Sequence, residues 1–179
     1  WKFTDLDRFL KDNFDELNND RLNNKSPNFQ NFGFIHNSIK LVNGKLQSFD
    51  FNSENLKDNN YFSITNLDFD NHINFANNLK DNPMQNLNTA LNEGGFNLNI
   101  NSNYKFKHPI VIYNYFTGPL KNKIINNSDC INLSKNSNAS IIEYLVDESK
   151  GNFFKNTFKY INLDENSHLN YYFINKNES

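Results

Sequence analysis

The sequence is poor in residues that cross-link small folds or bind metals through sulfur. Its 179 residues contain one cysteine, Cys130, which excludes an intramolecular disulfide and a metal cage made only of this chain's thiolates. No apolar run is long enough for a membrane-spanning helix, and no secretory signal is visible. The net charge of −2 gives no electrostatic basis for nucleic-acid binding. We therefore expect a cytoplasmic protein that binds neither nucleic acid nor membrane.

Glycine and proline are also scarce, whereas asparagine makes up about a fifth of the chain. Because the asparagines are spread between regularly spaced apolar residues, they indicate a folded domain from an AT-rich genome rather than a prion-like segment. The aromatic fraction of 15% can supply much of the core. The chain starts at Trp1 and stops at Ser179, soon after a strand-like segment, so we expect it to be cut from a longer protein.

The first 95 residues are predicted to form a mostly helical region. Apolar residues share one helical face over positions 1–22, and again over 72–91, where Pro83 interrupts the pattern. Gly94-Gly95 is a natural stop for the second helix. The exception to the helical pattern is Asn43-Gly44, a dipeptide favoured in two-residue type I′ turns, which predicts a short hairpin near 39–46.

Residues 96–179 have the periodicity of strands. Phe96, Leu98 and Ile100 alternate with asparagines, as in a strand with one buried face. The apolar run at 110–113 predicts the next strand.

An internal repeat follows. Residues 131–137 (INLSKNS) are matched 30 residues later by residues 161–167 (INLDENS), and both copies lead into an apolar segment. Such units cannot bury their apolar faces alone, whereas stacked units share a continuous core. Because hairpin dipeptides are absent after Gly95, the repeat favours the first coils of a parallel β-helix over a sandwich.

Several segments, in chain order, resemble motifs of the SufD proteins, which belong to the SufB/SufD family of the SUF iron–sulfur cluster assembly system. They are residues 1–6 (WKFTDL, similar to a WKYT-type motif), 42–44 (VNG), 87–91 with Gly94-Gly95 and Pro109-Ile110 (similar to LNTAF…G…PI), and 141–144 (IIEY, similar to a strand motif). The resemblance spans nearly the whole chain but only the front part of a full-length SufD.

The resemblance implies an N-terminal helical region, residues 1–95, followed by a truncated right-handed parallel β-helix, residues 96–179. It also implies a non-catalytic scaffold subunit with two partners, a SufB-like subunit and a SufC-like ABC ATPase. An iron–sulfur cluster is expected only on the assembled complex, with no cofactor in this chain. The family's partner-docking and cluster-assembly residues lie beyond the end of this chain, so no catalytic, cofactor-binding or metal-binding residue is carried over.

Few single residues invite a chemical role. A cluster or persulfide role for Cys130 needs an accessible thiolate with partners, whereas a lone cysteine in a strand is more often a small core residue. The four histidines, His36, His72, His108 and His168, lack metal-ligand spacing. Of these, His108 and His168 are predicted to lie at the surface.

The acidic residues have similarly simple interpretations. Those near the N-terminus are predicted to form the solvated face of a helix rather than a metal patch: Asp5, Asp7, Asp12, Asp15 and Glu16. Glu93-Gly94-Gly95 lacks the spacing of a phosphate-binding loop. Glu143 would suit a catalytic carboxylate in a polysaccharide-active β-helix, but strand alternation beside Ile142 predicts an outward position.

Two other functions compete with the scaffold. A β-helical polysaccharide lyase, hydrolase or carbohydrate-binding module would need clustered Asp, Lys or Arg on one strand face, where the predicted strands offer mostly Asn, Tyr and Ile. A secreted adhesin or tail-fibre piece would need a signal sequence or longer repeats. The ordered motifs favour the scaffold.

Overall fold

A computed structural model of the chain describes residues 27–54, 60–67 and 82–176, together with four positions before residue 12. Within these residues the chain forms nine strands, one α-helix with defined bounds and a single turn of 3-10 helix at Asn52–Glu54. Arg8, Leu10 and Lys11 are also helical, within the helix predicted over 1–22. In chain order they are β1 (Asn37–Val42), β2 (Lys45–Asp50), β3 (Phe62–Asn66), α1 (Pro83–Leu91), β4 (Gly94–Ile100), β5 (Ile110–Pro119), β6 (Ile124–Leu133), β7 (Asn138–Lys150), β8 (Phe154–Leu163) and β9 (His168–Lys176).

The strands form two parallel ladders that a hairpin joins into one sheet. The first ladder is β1–β5–β7–β9, and the second is β2–β4–β6–β8. β1 and β2 pair antiparallel and so link the two ladders, and β3 adds an antiparallel pair to β4. The described strands therefore make a single mixed sheet that is nearly closed.

The predicted hairpin is confirmed. Val42 pairs with Lys45 across the turn, and Asn43 and Gly44 have φ angles of 50° and 77°. Positive φ at both central positions is what a type I′ turn requires, and glycine and asparagine tolerate it best.

The 30-residue repeat sets the register of the later strands. Ile131 pairs with Ile161 in β6 and β8, and Asn138 pairs with His168 in β7 and β9. The turns between them carry asparagines with positive φ at corresponding positions, Asn136 (60°) and Asn166 (55°). The repeat is thus a unit of strand pairing.

The predicted fold class is wrong. Residues 1–95 are not mostly helical, because their described part holds three strands, the start of β4 and one nine-residue helix. The predicted helices over 1–22 and 72–81 lie almost entirely outside the described residues. Residues 96–179 do not form a separate right-handed parallel β-helix that follows a helical region. The antiparallel pairs of β1 with β2 and of β3 with β4 merge both segments into one mixed sheet, and the boundary predicted at residue 95 falls inside β4.

The helix α1 begins and ends at residues other than those predicted. Pro83 is its first residue rather than an interruption, and Asn82 caps it by accepting hydrogen bonds from the amides of Met84 and Gln85. It ends before Asn92, so Gly94-Gly95 does not stop it. Gly95 is needed for a close approach instead, since a Cβ there would lie 1.7 Å from the carbonyl oxygen of Ser128.

The core lies between the two ladders, where side chains from both pack together. A large apolar cluster fills one end of the interior: Ile39, Leu41, Phe96, Leu98, Ile100, Ile110, Ile112, Ile131, Leu133, Ala139 and Ile141. A smaller cluster fills the other end: Phe116, Leu120, Ile125 and Leu145. On the outer face of β5 and β7, Phe29 and Phe32 cover Val111, Tyr113, Tyr115, Tyr144 and Val146.

Candidate functional site

A layer of polar side chains separates the two interior apolar clusters. In β7, Ile141 belongs to the large cluster and Leu145 to the small one, so strand alternation directs Glu143 into the interior between them. The same spacing applies to Asn114, between Ile112 and Phe116 of β5. We call Asn114, Asn127, Asp129, Glu143 and Lys159 the polar layer.

One lysine joins two buried carboxylates in this layer. The Lys159 ammonium lies 3.2 Å from Asp129 Oδ2 and 3.0 Å from Glu143 Oε1. The Asp129 and Glu143 side chains are 1% and 2% exposed, against 24% for Lys159. Asp129 and Lys159 face each other because their strands pair in that register. Burial would make either carboxylate costly without this counter-ion.

Neutral groups complete the arrangement around Glu143. The Tyr171 hydroxyl donates to Oε2 at 2.7 Å, and Asn114 Nδ2 donates to Oε1 at 3.2 Å. Asn127 Nδ2 donates to Asp129 Oδ1 at 3.4 Å, and the Thr157 hydroxyl donates to Asn127 Oδ1 at 2.7 Å. Five strands, β5 to β9, thus contribute to one hydrogen-bonded network.

The two carboxylates have shifted pKa values of opposite sign. Burial raises the pKa of Asp129, and the nearby Glu143 adds to the rise, which Lys159 only partly offsets. Burial acts on Glu143 too, but the Lys159 charge and the hydrogen bonds from Tyr171, Lys159 and Asn114 outweigh it and lower its pKa. The two carboxylates hold the pKa of Lys159 above its ordinary value despite burial. Burial thus disfavours the charged form of Asp129 in the folded protein, whereas the surroundings of Glu143 favour its charged form.

The prediction that Glu143 points outward is wrong. Alternation does place it opposite Ile142, but the face of Ile142 is the one covered by Phe29 and Phe32, and the face of Glu143 is the interior. Both faces of β7 are covered, so the apolar pattern alone does not distinguish them. The 30-residue repeat contains a signal that the prediction missed. Its register pairs Asp129 with Lys159 within the second ladder, which indicates a charged pair on those strands.

An open cavity of about 480 Å³ adjoins the polar layer at β8 and β9. Its lining combines three residues of the polar layer with the other lysine of β8, one threonine and two aromatic rings: Asn114, Glu143, Lys159, Lys155, Thr157, Tyr171 and Phe173. Glu143 is thus the only predicted candidate residue in this lining.

A third buried carboxylate, Glu54, lies beside the start of β1 and was not anticipated. It is 1% exposed and accepts hydrogen bonds from Asn37 Nδ2 (2.8 Å), the Tyr104 hydroxyl (2.8 Å) and the backbone amides of Lys107 and His108 (3.2 Å each). Burial opposes its charge, but these four donors outweigh it and lower the pKa of Glu54. We call this arrangement the Glu54 site; it ties the loop before β5 to β1.

The interpretation of Cys130 as a small core residue is confirmed. Its side chain is fully buried, and burial raises the pKa of its thiol to about 11, so it is not a ready thiolate. Asn132 Nδ2 lies 3.4 Å from the sulfur.

Three of the four histidines lie among the described residues. His36 bonds to the Tyr113 hydroxyl at 2.8 Å, His108 is half-buried, and His168 is exposed as predicted, whereas His72 lies outside the described residues. Among the described residues no three His, Cys, Asp or Glu side chains are grouped as a metal would need. Of the predicted acidic helix face, Asp5 alone is described, and it is exposed.

A buried asparagine in the LNTA segment joins the helix to the sheet. Asn88 Nδ2 donates to the carbonyl oxygens of Asn127 (3.0 Å) and Asn156 (2.5 Å), and its Oδ1 accepts from the Ser128 hydroxyl (2.7 Å). These partners belong to β6 and β8, so Asn88 fixes α1 against the second ladder. Because Asn88 binds backbone carbonyl groups of the sheet, its role is structural.

Within the part of the chain that the structure describes, no helix has the length and apolar character to span a membrane. Comparison of the chain with protein-family models, with curated proteins and with solved structures gives no match.

Proposed function

We propose that this chain is a SufD-like, non-catalytic scaffold subunit of a cytoplasmic complex that assembles iron–sulfur clusters. Its partners would be a SufB-like subunit and a SufC-like ABC ATPase, and the cluster would form on the assembled complex. The observation that carries the proposal is the ordered set of motifs from residue 1 to residue 144. Support comes from these motifs rather than from the fold, since the parallel β-helix that the resemblance implied is not observed.

The described motif residues serve the architecture of the sheet. Asn43 and Gly44 make the turn that joins the two ladders, and Asn88 fixes α1 to the second ladder. Gly95 allows the backbones of β4 and β6 to approach each other. Motif residues with structural roles are what a scaffold subunit requires.

The polar layer also supports a role without catalysis. A catalytic acid or base must reach the atom whose proton it moves, at about hydrogen-bond distance. Asp129 is 1% exposed, and both carboxylates already bind Lys159. Tyr171 and Asn114 occupy further positions around Glu143. The layer is therefore organised to satisfy its own charges.

The ends of the sheet offer surface for protein contacts. β8 and β9 are the terminal strands of the sheet order, so each has one neighbouring strand among the described residues. They also carry most of the exposed large apolar side chains of the described residues: Ile161, Leu163, Tyr172, Phe173 and Ile174. Unpaired strand edges with exposed apolar side chains favour association with other polypeptides.

The test is anaerobic reconstitution of the purified chain with iron and sulfide, followed by desalting and metal analysis, with an ATPase assay in parallel. We expect neither retained iron and sulfide nor ATP hydrolysis. Stoichiometric iron and sulfide on the isolated chain would contradict the proposal.

The alternative is a polysaccharide-active protein, and the buried acidic pair is the observation that bears on it. Glycoside hydrolysis uses two carboxyl groups on either side of a bound sugar. Here Lys159 lies between the two carboxylates, within 3.0 and 3.2 Å of them, where the sugar would have to bind. Release of reducing ends from a panel of polysaccharides by the chain would favour this alternative over the scaffold.

A further inference from the structure

The cavity beside the polar layer contains a buried acceptor that the fold does not satisfy. Asn114 is 1% exposed, and its Nδ2 donates to Glu143. Its Oδ1 is buried and has no hydrogen-bond partner among the described residues. A buried acceptor without a partner is destabilising, and native proteins contain few. Because Asn114 lines the cavity, a ligand there could supply the missing donor.

The same cavity contains a lysine without a carboxylate partner. Lys159 binds Asp129 and Glu143, whereas Lys155 forms no ion pair within 4.0 Å among the described residues. Its ammonium instead lies 5.5 Å from the centre of the Phe116 ring. Lys155 can therefore bind an anionic group of a ligand.

Two hydroxyl groups in the lining have acceptor capacity left. Thr157 donates its proton to Asn127 Oδ1, and Tyr171 donates its proton to Glu143 Oε2. A hydroxyl has one donor and two acceptor positions, so both oxygens can still accept hydrogen bonds. The cavity thus offers three neutral acceptors, one available cation and the exposed ring of Phe173.

We propose that this cavity binds a small polyhydroxylated carboxylate of the hexuronate class. Several hydroxyl donors would meet Asn114 Oδ1, Thr157 and Tyr171, the carboxylate would pair with Lys155, and the apolar face of the sugar ring would lie against Phe173. Its volume of about 480 Å³ falls in the range of small-molecule sites. The site binds and does not cleave, in keeping with the buried state of Asp129.

The test is isothermal titration calorimetry of the full chain with galacturonate, with galactose as the uncharged control. We expect saturable one-to-one binding of galacturonate and at least tenfold weaker binding of galactose. Lys155→Met should weaken galacturonate binding at least tenfold, since it removes the partner of the carboxylate. The matched control is Lys135→Met, which should leave binding unchanged. Lys135 is exposed and forms its ion pair with Glu165, away from the cavity lining.

A second variant tests the buried acceptor. Asn114→Leu removes Oδ1 and should weaken binding of both sugars, while Lys155→Met should act mainly on galacturonate. Circular dichroism will show whether each variant is folded. If Asn114→Leu does not fold, the effect of Lys155→Met on galacturonate binding tests the proposal by itself. Absence of saturable binding would overturn the proposal, as would galacturonate binding that Lys155→Met leaves unchanged.

Discussion

The polar layer and the Glu54 site bury carboxylates by two different means. Glu54 is held by neutral donors, two side chains and two backbone amides, and it forms no ion pair with any cation among the described residues. Asp129 and Glu143 instead share the single ammonium of Lys159. The first arrangement spreads its stabilisation over four donors, whereas the second concentrates it in one side chain.

The difference determines how each site fails. Loss of one donor at the Glu54 site leaves three in place. Loss of Lys159 leaves two negative charges in the interior, between two apolar clusters. Breaking a buried ion pair by removing one partner is strongly destabilising, because it leaves charge that nothing compensates.

The largest effect is expected for Lys159→Met. The substitution keeps much of the side-chain volume and removes the charge, so the free energy of unfolding should fall by about 3–5 kcal/mol at neutral pH. Chemical denaturation of both proteins measures it. A loss below about 1 kcal/mol would mean that Lys159 is not the main partner of the two carboxylates.

A smaller effect is expected for Glu54→Gln. The amide keeps the shape but exchanges a charged acceptor for a neutral one, so the loss should be about 1–3 kcal/mol at neutral pH. The pKa of Glu54 is lowered in the folded state, so its stabilisation is present above its ordinary value of 4.5 and is lost as pH falls through the folded pKa. The difference in the free energy of unfolding between the two proteins should therefore shrink as the pH falls below 4.5. A difference that stays constant down to pH 3 would contradict this account.

The opposite pH dependence is expected for Asp129→Asn. Because the pKa of Asp129 is raised in the folded state, its contribution favours folding below the ordinary value of 3.8 and is lost as pH rises through the folded pKa. The variant lacks this loss and keeps one cation for one carboxylate. Its free energy of unfolding relative to the wild type should therefore increase as the pH rises from about 4 to about 7. A relative stability that decreases over this range would show that Asp129 is stabilised as a charge.

The smallest effect is expected for Lys135→Met. Lys135 forms an ion pair of 2.6 Å with Glu165, but the two side chains are 50% and 64% exposed. Solvent screens such a pair, so the change should stay below about 1 kcal/mol and shrink in salt. Lys135→Met is therefore the control that distinguishes loss of a buried cation from loss of an exposed lysine. A destabilisation as large as that of Lys159→Met would contradict the claim that burial makes the Lys159 ion pairs important.

The sequence predicted the local features whose cause is local. Asn43-Gly44 predicted its turn because the required φ angles suit those two residues. The alternation of Phe96, Leu98 and Ile100 predicted β4, and all three are fully buried. The INLSKNS repeat predicted that equivalent residues stack, and Ile131 does pair with Ile161.

The features that the sequence did not predict depend on which strands become neighbours. Antiparallel pairing of β1 with β2 joins the ladders. No local pattern indicates that the outer edge of each hairpin strand pairs with a parallel strand, β1 with β5 and β2 with β4. Glu143 was misplaced for the same reason, since the covering of Ile142 by Phe29 and Phe32 comes from a distant segment. Asn88 and Glu54 are polar residues whose burial depends on backbone partners more than 35 residues away.

The central claim, that this chain is a scaffold subunit, is tested most directly by affinity purification of the full-length gene product from its native cells, with identification of its partners by mass. We predict recovery of an ABC-type ATPase together with a SufB-like subunit. Recovery of neither, together with activity of the purified protein on polysaccharides, would contradict the scaffold role.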